Sequence, residues 1–176
     1  EKIHSIYPNA QLILRICVDD TNSKCKFNSK FGCPLCNIPI IFDKIKSLQM
    51  NLSGFSFHVG SGCSDAKSFY NAIKDCNNAY NIAQKYGFNI SIIDIGGGFP
   101  GVDKNIIFAD ICYNINKAID EFFSYEKKNN IIKFIAEPGR YFTEATHTLV
   151  INVIAKKKEA NVIKYYLNDG IYGSFN

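Results

Sequence analysis

Short apolar runs alternate with longer amphipathic segments along most of the chain, and this alternation limits the folds that it can adopt. Each run is stopped by Gly, Pro or Asp, which is typical of a buried strand. The runs occupy residues 12–18, 55–59, 90–95 and 132–136. Apolar residues recur at helical spacing between them. The predicted helices occupy residues 38–50, 64–86 and 104–127. Strands that alternate with helices predict an α/β fold with a parallel sheet.

The pattern changes after about residue 140. A β-rich run over residues 147–155 has no helix after it, and another strand starts at residues 165–167. We therefore predict that residues 1–143 form part of a (β/α)8 TIM-type barrel and that residues 144–176 begin a β-rich C-terminal domain. Because a complete barrel has roughly 250 residues, the chain would provide about half to two-thirds of one.

Composition excludes several classes of protein. Hydrophobic residues make up 47% and charged residues 20% of the 176 residues, which indicates a globular chain rather than a disordered one. The net charge is only +4, and the one basic run, residues 156–158, is interpreted as the exposed end of a strand or loop. We predict no nucleic-acid surface. No apolar stretch approaches the roughly 20 residues that cross a bilayer, and the start of the chain has no signal-peptide form, so no membrane association is predicted.

The cysteine pattern bears on location and metal binding. Seven cysteines, an odd number, favour a reducing compartment over a disulfide framework, and we predict a cytoplasmic protein. Cys33 and Cys36 have C-x-x-C spacing. No second pair and no suitably spaced His completes a zinc site, so no metal is predicted.

Functional-looking groups follow three of the predicted strands. The ends of parallel strands converge on one face of a barrel, where active sites are built. Gly96, Gly97 and Gly98 can bring backbone N–H groups close to a phosphate, or they can simply form a tight turn. Ser61, between two glycines, can donate to a phosphate or cap the next helix. His58 is either a core residue or a flat ring that stacks on a cofactor.

The tetrapeptide of residues 137–140 is the most informative. Glu137 and Arg140 flank a rigid Pro138 and a permissive Gly139. They could form only a local ion pair, or Arg140 could bind a phosphate while Glu137 faces a ring nitrogen. A carboxylate next to a pyridine nitrogen keeps that nitrogen protonated, and this makes pyridoxal phosphate (PLP) an electron sink. With no P-loop present, these residues together predict PLP rather than a nucleotide.

Four segments resemble the eukaryotic-type ornithine decarboxylases, which are PLP-dependent group IV decarboxylases with an alanine-racemase-like barrel. The segments are residues 57–63 (FHVGSGC), 94–101 (DIGGGFPG), 136–141 (AEPGRY) and 169–176 (DGIYGSFN). The resemblance runs essentially end to end. It implies a (β/α)8 barrel joined to a β-rich domain, bound PLP, and a homodimer with active sites at the subunit interface.

The resemblance also implies roles for single residues. His58 would stack on the cofactor ring and Glu137 would face its pyridine nitrogen. Arg15 would lie near the cofactor, and Tyr172 close to the substrate region. The residues implied to hold the cofactor phosphate are Ser61, Gly98, Gly139 and Arg140, with Pro138 between the two ends of the last motif. Lys30 and Lys157 match lysines of the dimer interface.

The implied activity is decarboxylation of ornithine to putrescine, the entry to polyamine synthesis. The alternatives are an inactive regulatory relative and a decarboxylase for another basic amino acid, lysine or arginine, or for diaminopimelate. The resemblance places the Schiff-base lysine before this chain, and the Cys and Asp that one subunit lends to its partner's site after it. The chain alone is therefore expected to be an inactive fragment.

Overall fold

The computed structural model describes residues 1–104 and 106–175, which fall into two compact units, Glu1–Glu144 and Ala145–Asn176. Asn105, inside the helix predicted over residues 104–127, lies outside the described residues. So does Asn176, the last residue of the 169–176 motif. The two units are described separately.

Among the described residues, the first unit has eight helical or strand elements before residue 90 and five after it. They are α1 (Lys2–Ile6), β1 (Gln11–Arg15), β2 (Ser23–Cys25), a 3-10 turn (Leu35–Asn37), α2 (Ile38–Ser47), β3 (Asn51–Ser56), β4 (Ser61–Cys63), α3 (Lys67–Lys85), β5 (Ile92–Asp94), α4 (Phe108–Phe122), α5 (Ser124–Lys128), β6 (Lys133–Ile135) and the short α6 (Arg140–Thr143). The prediction of an α/β fold is confirmed.

The main sheet has four strands in the order β1-β3-β5-β6, and every neighbouring pair is parallel. Phe55 pairs with Ile93, which pairs with Phe134. Since all four strands run the same way, their carboxyl ends lie along one edge. The residues that follow β1, β3, β5 and β6 therefore come together there.

The core lies between this sheet and helices α2, α3 and α4. Phe55 and Ile93 on the sheet are completely buried. Each helix buries one face, with Phe42, Ile73 and Ile111 fully enclosed. This is the apolar stripe that helical spacing in the sequence predicts.

Most predicted elements differ from the observed ones by a few residues at their ends, and two of the differences have a visible physical reason. β3 covers Asn51–Ser56 instead of residues 55–59, because the chain leaves the sheet before His58. The helix predicted over residues 104–127 is interrupted at Phe123, whose backbone is not helical (φ −136°). Phe123 is fully buried against Tyr80 and Phe134, so burial of its ring accompanies the interruption.

The second unit contains one antiparallel hairpin, β7 (Val153–Glu159) and β8 (Val162–Leu167). The basic run, residues 156–158, lies inside β7 and not at the end of a strand, and its residues are exposed. Residues 147–152, the first six of the strand predicted over residues 147–155, are not in β7. Within the described ranges no helix is long and apolar enough to span a membrane.

Candidate cofactor site

The glycine turns after β3 and β5 are in direct contact at the carboxyl edge of the sheet. Gly96 has φ +64°, and a Cβ added to it would lie 2.0 Å from the Phe57 carbonyl oxygen. Gly98 has φ +105°, and a Cβ there would lie 2.7 Å from the Gly60 oxygen. Only glycine fits such positions. The two turns therefore pack backbone against backbone at this edge of the sheet.

His58 lies between the turns. Its Nδ1 accepts a hydrogen bond from the Gly60 N–H at 2.9 Å, so the neutral ring carries its proton on Nε2. A Cβ built on Gly97 would lie 3.0 Å from that Nε2 and 2.8 Å from the Glu137 carbonyl oxygen. Burial lowers the pKa of His58, and the nearby Arg15 charge lowers it further, against an opposing effect of Asp94. The ring is held neutral beside the ends of β5 and β6.

Ser61 and Arg140 come together although 79 residues separate them. The Arg140 Nη2 donates a hydrogen bond of 2.7 Å to the Ser61 Oγ. Arg140 also lines a cavity of about 110 Å³ together with Gly62, Gly98, Lys24 and Glu144. Glycine backbone, a hydroxyl and a guanidinium thus surround one region, which is the donor set that binds phosphate.

Glu137 follows β6 and faces the side chain of Asp94 at the end of β5. The Asp94 carboxylate raises the pKa of Glu137, burial adds to the increase, and Arg15 opposes it. Asp94 is buried, and its Oδ1 accepts the Gly96 N–H at 2.8 Å. Arg15 Nε and Nη2 are buried with no hydrogen-bond partner among the described residues. Two carboxylates and one guanidinium therefore lie at the point where three parallel strands end.

Asp94 was assigned no role of its own from the sequence, although it is the first residue of the segment 94–101. A charged residue inside a buried apolar run, two residues before a glycine turn, is the signal that could have identified it. Pro138 and Gly139 form the link between β6 and α6. No atom lies within 4 Å of a Cβ added to Gly139, so packing within this unit does not require glycine there.

Of the other predicted residues, Lys30 lies in the first unit, and Lys157 and Tyr172 lie in the second. Lys30 is on the loop after β2, with its Nζ 5.6 Å from the centre of the Phe31 ring. Lys157, on β7, forms an ion pair of 2.7 Å with Glu159. Tyr172 is 99% exposed. Among the residues that the structure describes, no group of His, Cys, Asp and Glu could hold a metal ion.

The sequence model of the family described as "Pyridoxal-dependent decarboxylase, pyridoxal binding domain" matches residues 1–144. The chain belongs to the pyridoxal-dependent decarboxylases. The ornithine decarboxylase of Mus musculus is 39% identical over 190 residues, and antizyme inhibitor 2 of Xenopus laevis is 40% identical over 188 residues. Each match covers 99% of this chain and 41% of the relative, so the chain spans less than half the length of these relatives.

Solved structures agree with this decarboxylase assignment. The Paramecium bursaria Chlorella virus arginine decarboxylase bound to agmatine is 36% identical with a TM-score of 0.87, and the match covers 99% of this chain and 46% of that one. For the lysine decarboxylase of Selenomonas ruminantium the identity is 29%, the TM-score 0.79, and the coverage 99% and 45%. The predicted family, fold class and cofactor are confirmed: this is part of the barrel of a pyridoxal-dependent decarboxylase.

The residues present fit PLP. The Gly98 backbone, which lines the same cavity as Arg140, together with the Ser61 hydroxyl and the Arg140 guanidinium, suits its phosphate. The neutral His58 ring suits its aromatic face, and Glu137 suits its pyridine nitrogen. The two unpartnered N–H groups of Arg15 give the same region donors that no described residue satisfies.

Proposed function

We propose that the full-length protein decarboxylates L-ornithine to putrescine, and that this chain contributes most of its PLP site. The observation that carries the proposal is the meeting of Arg140 and Ser61 at 2.7 Å beside the glycine turns. It assembles a phosphate site from two distant motifs, of which the one around Ser61 has the form typical of the ornithine branch. The ornithine decarboxylase relatives support the choice of substrate.

Bound PLP supplies the electron sink for loss of CO2 from the amino acid. In this proposal Arg140, Ser61 and the Gly98 backbone anchor the phosphate, with Gly139 leaving room and Pro138 fixing the direction of the chain. His58 would pack its ring against the cofactor ring. Glu137 would face the ring nitrogen and favour its protonated form, and the Asp94 carboxylate, which raises the pKa of Glu137, would add to the negative charge there. Arg15 completes the polar edge of the site.

The remaining proposals concern the whole protein. Residues 1–143 would be the PLP-binding part of the barrel and residues 144–176 the start of the β-rich domain. We propose a homodimer with shared active sites, in which Lys30 and Lys157 lie at the interface. We also propose a cytoplasmic location, which the seven unpaired cysteines of the described chain favour. The 176-residue chain alone is expected not to turn over ornithine.

The test is release of CO2 from labelled ornithine by the full-length protein with added PLP. Arg140→Ala should weaken PLP binding about 10- to 100-fold, since hydrogen bonds to charged groups contribute about 1.5–3 kcal/mol. Excess PLP should restore part of the activity. Lys85→Ala removes the same charge from the exposed end of α3 and should change PLP binding less than twofold.

The alternative with a specific observation behind it is an inactive regulator, because antizyme inhibitor 2 is 40% identical. Against it stand His58, Ser61, Glu137 and Arg140, all present and all gathered at the same strand ends. A folded full-length protein that binds no PLP and releases no CO2 would favour the regulator. Release from lysine or arginine but not from ornithine would change only the substrate.

A further inference from the structure

A buried carboxylate outside the motifs holds the start of the loop that follows β2. Asp20 is 7% exposed, and its Oδ2 accepts the backbone N–H groups of Phe27 at 2.6 Å and Asn28 at 2.9 Å. The Phe27 carbonyl in turn accepts the N–H of Phe31 at 2.9 Å. We call residues 27–33 the support loop. Its first half is thus fixed by one side chain from outside the loop.

The far end of the support loop is attached to the chain just after β1. The Cys33 N–H donates to the Arg15 carbonyl oxygen at 2.8 Å, and the Cys17 N–H donates to the Cys33 carbonyl oxygen at 2.9 Å. These two bonds form a parallel bridge between Ile16 and Cys33. Hydrogen bonds thus connect the start of the loop to Asp20 and its end to the chain just after β1.

Two aromatic rings of the support loop contact two residues of the proposed cofactor site. The Phe27 ring meets His58 edge to face, with centroids 4.9 Å apart and an interplanar angle of 73°. The Arg15 Cζ lies 5.2 Å from the centre of the Phe31 ring, within the range of a cation–π contact. The same short loop therefore supports the flat ring of His58 and the guanidinium of Arg15.

We propose that the support loop, held by Asp20, positions His58 and Arg15 for the cofactor ring. Asp20, Phe27 and Phe31 are positioning residues in this scheme, and the inference rests on the proposed function. A side chain that is already held in its binding orientation loses less entropy when a ligand arrives. Releasing the loop should therefore weaken cofactor binding although no atom that touches the cofactor is removed.

The experiment measures two properties of the full-length protein: its dissociation constant for PLP, by equilibrium dialysis, and the visible circular dichroism of bound PLP, which reports ring orientation. Asp20→Ala should weaken binding about tenfold, as is typical when a group that orients a ligating side chain is lost. It should also reduce the dichroism of the PLP that remains bound. Phe27→Ala and Phe31→Ala should act in the same direction.

Conservative and matched variants separate positioning from general damage. Phe31→Tyr keeps the ring over Arg15 and should restore binding to within twofold. Asp19→Ala removes the exposed neighbouring carboxylate, and Phe122→Ala removes a partly buried ring on α4; both should leave binding and dichroism unchanged. Because Phe31 is 46% exposed, its variants test the inference even if Asp20→Ala does not fold.

The outcomes separate the two proposals. If the parent protein binds PLP and needs Arg140, but Asp20→Ala and Phe31→Ala bind as tightly as the parent, the positioning role is refuted and the proposed function stands. If the parent binds no PLP, the proposed function fails and the positioning role fails with it.

Discussion

Replacement of Gly96 by alanine tests whether the close backbone contacts at the strand ends require glycine and keep the His58 backbone in place. Placing an L-residue in the left-handed region destabilises the folded state by about 1–2 kcal/mol. The lower conformational entropy of the unfolded alanine variant offsets about 0.4–1 kcal/mol of this. At Gly96 the new Cβ would also lie 2.0 Å from the Phe57 carbonyl oxygen and 3.1 Å from the His58 Cα. Because both contacts are backbone, the turn must move, at a cost of about 1–3 kcal/mol more. Gly96→Ala should therefore lower the free energy of unfolding by about 2–4 kcal/mol.

Gly87 is the matched control for Gly96. It follows α3 with a similar φ of +72°, but a Cβ there would meet only the Lys46 Nζ, at 4.0 Å. Gly87→Ala should cost about 1 kcal/mol, the conformational part alone. Urea unfolding of the full-length protein compares the two variants, and only Gly96→Ala should also weaken PLP binding, because its displaced backbone includes His58. Equal losses of stability, or PLP binding unchanged by Gly96→Ala, would refute the argument.

Two further predictions concern a titration and the core. Glu137→Gln should raise the melting temperature of the cofactor-free protein at neutral pH. Because the pKa of Glu137 is raised in the folded state, the wild-type protein gains stability as Glu137 becomes protonated. The difference in melting temperature between the glutamine variant and the wild type should therefore shrink as the pH falls through the pKa of Glu137. An advantage that grows on acidification would contradict this. Phe55→Ala removes a fully buried ring from the centre of β3 and should cost about 3–5 kcal/mol in urea unfolding. Phe142→Ala, which removes a ring that is 63% exposed, should cost less than about 0.5 kcal/mol. Similar losses of unfolding free energy in Phe55→Ala and Phe142→Ala would contradict the prediction that burial of the ring sets the cost.

Local pattern was enough to predict which segments form strands and helices, because apolar spacing and glycine stops act within a few residues. The first and last residues of these strands and helices were predicted less well. β3 starts four residues before the predicted run, and α4 ends at Phe122. Both differences arise from contacts with distant residues: β3 pairs with β1 and β5, and Phe123 packs against Tyr80 and Phe134. No local pattern contains those contacts.

In the candidate site too, local sequence predicts the types of residue, and the tertiary structure decides which of them are in contact. Residue types and motif order alone pointed to PLP, because a phosphate-binding turn, a flat ring and a paired carboxylate and guanidinium can each be recognised locally. That Arg140 meets Ser61, that Asp94 faces Glu137, and that Asp20 holds the loop beneath His58 and Arg15 depends on which strand ends become neighbours in the sheet. Pairing of β1, β3, β5 and β6 decides that, and it is determined by the packing of the whole unit rather than by any one segment.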